Sequence, residues 1–255
     1  MKLLIVCVLS LVFGYVSLLS DNRNFVWTYE YLTMEEGAAE IEQYMTFEGL
    51  ESFESKGKRI LNIEYEFGMS DGFDFAIYQN FKQSAEGAFS WDGFKARFRK
   101  KLAEENAWWF SPLLYVEYKA SSGATLHNIE AKLILERKFG DFTLALNPYF
   151  GYDQENVKDE FGNKTGGKEW EFVPKYALGL NYELARLFSF GFEAKGSESG
   201  HYFGPAISHG EHDMWVSFGY LWGVDVAGDK PEQMARLIFG IEINSPEKNE
   251  TEHKD

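Results

Sequence analysis

The stretch "GSESGHYFGPAISHGEHD" gathers Ser197, Ser199, His201, Ser208, His209, His212 and Asp213 in a short span. A serine hydroxyl beside an imidazole that a carboxylate orients is the requirement for acyl transfer, as in a hydrolase working on lipid at a membrane rim. The residue midway between Gly196 and Gly200 is Glu198, however, so "GSESG" is not a nucleophile elbow. His209, Glu211, His212 and Asp213 are metal-ligating types, yet they lack the spacing of a helical zinc motif and read better as a solvated turn. His127 and His253 have no partner pattern. The expectation is no catalytic residue, no metal site and no cofactor.

A second chemistry is spread along the chain. Charged residues recur on alternate positions, with large apolar residues between them. Glu40, Glu42, Glu64, Glu66 and Asp74 come early, and "FKARFRKK" supplies Lys95, Arg97, Arg99 and Lys101. Glu117, Glu130, Lys132, Lys175, Glu193, Arg236 and Glu242 continue the series. Facing one another across a narrow wet lumen, acids and bases would set up a transverse field that selects solutes by sign. Alternatively, Lys119, Lys132, Lys175 and Lys195 bridge Glu117, Glu130, Glu171 and Glu193 and close the lumen.

Strands must carry these residues. "EWEFVPKYALGLNYEL" sets Trp170, Phe172, Tyr176, Leu178, Leu180 and Tyr182 against Glu169, Glu171, Lys175, Asn181 and Glu183, a period of two. "AEIEQYMTF" and "RILNIEYEFG" repeat it, as do eight later segments. A soluble sandwich also alternates. Here the apolar set is bulky and the segments are about ten residues long, which suits hydrocarbon and a tilted bilayer crossing. The spacing therefore predicts an all-β fold: a closed antiparallel up-and-down transmembrane β-barrel of about 12 strands over residues 38–244, with long loops on one side and both ends on the other. Phe25 to Met34, within segment 21–37, is placed on the periplasmic side or tucked into the lumen. Trp170, Trp222, Tyr152 and Tyr182 suit the headgroup level, whereas Trp215 falls on the inward parity. Pro148 and Pro174 each predict a bulge or a place beyond the lipid, because a closed barrel has no edge.

Composition is consistent with this. Of 255 residues, 40 are acidic and 25 basic, and net −15 disfavours nucleic acid. Aromatics reach 17% while mean hydropathy is −0.34, unlike a helical membrane protein. "MKLLIVCVLSLVFGYVSLLS", residues 1–20, reads as a signal peptide, and Cys7 within it is the one cysteine. The tail 245–255 is polar.

"WTYEYLTMEEGAAEIEQYMT", "IEYEFGMSDGFDFAIY", "EAKLILERKFGDFTLALN" and "HYFGPAISHGEHDMWVSFGYLWG" resemble stretches of uncharacterised porin-like outer-membrane barrels of Gram-negative bacteria. The resemblance implies a barrel in the bacterial outer membrane, in contact with outer-membrane lipids and folded by the barrel assembly machinery. It names no solute. The expected function is passive diffusion of small hydrophilic solutes with a weak cation preference. The alternatives are a closed structural or adhesive barrel and an outer-membrane lipid hydrolase.

Overall fold

The computed structural model describes residues 23–50, 57–83, 87–159, 163–185, 187–211, 214–228 and 230–244. The expected signal peptide, the tail, His212, Asp213 and His253 lie outside the described residues.

Twelve strands follow one another around a closed barrel: β1 (Ala39–Glu48), β2 (Lys58–Ser70), β3 (Phe73–Gln83), β4 (Ser90–Lys101), β5 (Ser111–Ser121), β6 (His127–Phe139), β7 (Phe142–Lys158), β8 (Lys164–Ala185), β9 (Phe188–Ser197), β10 (Gly200–Glu211), β11 (Met214–Val224) and β12 (Gln233–Asn244). Each strand pairs antiparallel with its sequence neighbours, and β1 closes on β12, with Tyr44 opposite Ile238. Closure leaves the barrel wall without a free edge.

The alternation decides which face is which. Along β11, exposed Val216 and Phe218 interleave with buried Trp215, Ser217 and Gly219. Leu178, Leu180, Phe190 and Phe218 are 40–44% exposed and form part of a belt of large apolar side chains around the outside. A soluble protein does not present so continuous an apolar surface to water, so the belt belongs in hydrocarbon. A sandwich, which would bury those four side chains between sheets, is excluded. Trp170, Trp222, Tyr152 and Tyr182 face outwards, while Trp215 is buried inside and donates its indole N–H to Glu40 Oε1 at 2.5 Å.

Two connections differ from expectation. The connection 102–110 is long yet lies at the end where β1 begins and β12 ends, hereafter the terminal end, and it exposes Trp108 and Trp109. At the opposite, loop end, β9 and β10 are joined tightly through 198–199. Neither proline marks a bulge: Pro148 stays in register opposite Tyr176, and Pro174 opposite Phe150. Strand length explains Pro174. Pairing of β8 with β9 starts only at Lys175 opposite Ser197, so the upper part of β8 is an edge on that side, where a missing N–H costs nothing.

Candidate functional site

The inside of the barrel is occupied by the chain's own N-terminal segment, residues 23–37. It enters at the terminal end, rises to mid-barrel at residues 26–28 and returns to β1 as a finger. Glu30 closes its base, accepting the Asn24 backbone N–H at 2.8 Å and the Asn24 Nδ2 at 2.7 Å. Phe25, Val26 and Thr28 have no solvent exposure.

Side chains of the wall hold the finger chiefly by its backbone. Glu193 on β9 accepts the N–H groups of Val26, Trp27 and Thr28 at 2.7, 2.8 and 2.7 Å. Asn147 on β7 brackets Tyr29, and Glu136 on β6 accepts the Tyr31 N–H at 2.8 Å. Asp74 takes the Met34 N–H at 3.1 Å, and Ser208 and Ser217 donate to the Arg23 carbonyl at 2.6 and 2.7 Å. A non-repetitive segment cannot satisfy its own peptide groups, and these wall residues replace the partners water would supply. Two wall glycines make the room. A Cβ at Gly179 would lie 2.5 Å from the Phe25 ring, and one at Gly219 would run into the Trp27 indole.

Beside the finger the charged residues form one buried network. Arg97 on β4 pairs with Glu64 Oε1 at 2.7 Å and Glu66 Oε2 at 2.6 Å, and donates to Tyr78 Oη at 2.9 Å. Arg99 binds Asp74 through Nε and Nη2 and also reaches Glu66. Tyr44 donates to Glu64 at 2.7 Å and accepts from Arg23 Nη1 at 2.8 Å, while Arg23 stands 3.5 Å from Glu42. These acids and bases sit on β1 to β4 and on the finger, and pair with one another. They do not oppose each other across water, as a transverse field would need, because alternation fixes a residue's face but not its place around the barrel. With the finger in place Arg97 is fully buried.

Around the rest of the wall, Lys95 pairs with Glu117 at 3.0 Å and Lys132 with Glu130 at 2.7 Å. Lys132 also lies 4.5–4.6 Å from the ring centroids of Tyr29, Tyr115 and Tyr149, a cage that includes a finger residue. Lys175 bridges to Asp153 at 3.5 Å and Lys119 to Asp92 at 3.6 Å, in place of the Glu171 and Glu117 partners expected for them. Glu42 and Glu193 are buried inside, and Arg236 and Glu242 are half-buried on the inward side of β12. Sequence reasoning missed Asn147, Glu136, Ser208 and Ser217 as finger-binding residues. Their signal was only inward parity and polarity.

Among the described residues the hydrolase candidates do not converge. His201 contacts Tyr176 Oη at 3.1 Å, His209 the Leu187 carbonyl at 3.0 Å and His127 Tyr118 Oη at 2.7 Å. Ser197 and Ser199 bond each other at 3.2 Å, and Ser208 is turned into the lumen onto the finger. Among the described residues no serine hydroxyl is hydrogen-bonded to an imidazole.

No protein-family model matches the sequence, and no curated protein is similar to it. Solved structures are similar in fold. An outer-membrane channel from Pseudomonas putida F1 superposes with a TM-score of 0.60 at 10% identity, over 86% of this chain and 100% of that one. The NanC porin superposes with 0.54 at 11%, over 82% and 100%. By fold the chain stands among barrels of the bacterial outer membrane.

Proposed function

We propose that this chain forms a porin-like outer-membrane channel for passive diffusion of small hydrophilic solutes, closed in the conformation described by its own N-terminal finger. The supporting observation is how the finger is held. Glu193, Asn147, Glu136 and Asp74 grip main-chain N–H groups. A wall that holds its plug through such polar groups becomes a hydrated conduit when the plug leaves, whereas an apolar seam would collapse. The weak cation preference belongs to that open state. The finger takes Glu30, Glu35 and Glu36 away with Arg23, so the preference rests on the wall, where Glu193, Glu136 and Asp74 lose the amides that now share their charge.

The finger and the ion pairs also favour a second reading, a permanently closed structural or adhesive barrel. Liposome swelling separates the two. Vesicles containing a variant lacking residues 23–37 should swell in arabinose far faster than vesicles containing the full chain. Equal, background swelling from a folded deletion variant would favour the closed barrel.

A further inference from the structure

A cavity of ≈ 370 Å³ lies on the loop side of the finger tip, rimmed by Ser199, Gly200 and Lys230 and lined further in by Tyr149, Lys195 and Tyr202. Its volume is at the lower end of the range for small-molecule sites.

Lys195, in its lining, and Arg236, which shares the Trp27 indole with Lys195 but does not line the cavity, are unusual within this lumen. Lys95, Arg97, Arg99, Lys132 and Lys175 each have a carboxylate partner. Lys195 and Arg236 have none among the described residues. Glu193 shares the inward face of β9 with Lys195, two residues away, but its carboxylate is committed to three finger amides. Arg236 donates to Thr46 Oγ1 at 2.8 Å and to the Val26 carbonyl at 3.4 Å, both neutral acceptors. Lys195 and Arg236 lie over the Trp27 indole, 5.7 and 5.4 Å from a ring centroid, and Lys195 also over Tyr202 at 5.7 Å. The buried Nε1 of Trp27 has no hydrogen-bond partner among the described residues. Half-burying two positive charges without a counter-charge is unfavourable, and cation–π contact returns only part of the lost hydration.

The other lining groups narrow its chemistry. Glu130 and Asp153 are paired with Lys132 and Lys175 and keep oxygens that accept hydrogen bonds, as does Glu155; Ser197 both donates and accepts, and the Tyr149 and Tyr202 rings offer surface to C–H groups. We propose that this vestibule binds a small hydroxylated carboxylate, a sugar acid by chemical class. The carboxylate lies on Lys195, and the hydroxyls lie on Asp153, Glu155 and Ser197. The cavity opens at the loop end with the finger in place, so this site goes beyond the channel reading and does not require the barrel to conduct.

Isothermal titration of the refolded full chain in detergent with sodium D-glucuronate tests it, with D-glucose, L-alanine and acetate as comparisons. Glucuronate should bind saturably at one site, at least about tenfold more tightly than each comparison. Lys195→Gln should weaken glucuronate at least about tenfold, and Lys195→Arg should retain it. Should Lys195→Gln not fold, Lys195→Met is expected to show the same loss, and unchanged affinity in folded Lys195→Met overturns the proposal equally. Absence of saturable glucuronate binding, an unchanged affinity in a folded Gln variant, or equal binding of alanine or acetate overturns the proposal. None of these results bears on conductance, so failure here is distinct from failure of the channel reading.

Discussion

Asn147 closes around the backbone of Tyr29, accepting its N–H at Oδ1 (2.6 Å) and donating from Nδ2 to its carbonyl (2.9 Å). One side chain thus stands in for a neighbouring strand, and the finger is paired to the wall without joining the sheet. Asn147→Ala leaves both peptide groups of Tyr29 buried and unpaired, at about 1–3 kcal/mol each. The barrel should still fold, because its ladders are untouched. Hydrogen exchange at Tyr29 and its neighbours should rise roughly tenfold or more above wild type; unchanged exchange would mean that Asn147 does not hold the finger.

Glu193 should matter for a different stretch. Its charge is shared by the three amides of Val26, Trp27 and Thr28. Glu193→Gln keeps the volume but weakens charge-assisted bonds to neutral ones, roughly half as strong. Amide exchange at those three residues should accelerate together, while exchange in β9 itself stays slow. Acceleration throughout β9 would point instead to local loss of the wall.

Arg97 is a structural cation in this account. Arg97→Met leaves Glu64 and Glu66 buried without their partner, and breaking such a pair costs about 3–5 kcal/mol. Urea unfolding in lipid vesicles should show that loss. With the finger in place Arg97 is fully buried between Glu64 and Glu66; unchanged stability in Arg97→Met would show that these pairs do not hold the wall.

The outer face has its own test. Phe218 lies mid-strand on β11 and is 43% exposed towards the surroundings of the barrel. Phe218→Arg should destabilise the vesicle-embedded barrel by about 2–4 kcal/mol, the cost of a cation near the bilayer midplane. A negligible change would place this face outside hydrocarbon.

The fold was largely legible because alternation is local. Ile41, Met45 and Phe47 against Glu40, Glu42 and Tyr44 declare two faces without knowledge of any other strand. The finger was not legible in the same way. The Glu193 bond to Val26 joins residues 167 apart, and only closure of the barrel brings them together. Parity put Arg97 and Glu64 on the inside correctly, but their being two strands apart rather than on opposite walls depends on position around the circumference. Pro174 needs no bulge because β8 rises beyond β9 there, a difference in strand length that alternation alone does not show. Lys195 looked like a partner for Glu193 by sequence proximity; the finger's amides have taken that carboxylate.

The central claim is that the finger, and not the wall, closes the lumen. Single-channel recording in planar bilayers tests it most directly, comparing the full chain with the variant lacking residues 23–37 and with Gly179→Val/Gly219→Val, which crowds the finger out while leaving it attached. The account predicts a full chain that is silent or opens only in brief steps, and steady, mildly cation-selective conductance from both variants. Silence from both variants as folded barrels, or steady conductance from the full chain equal to theirs, would contradict it.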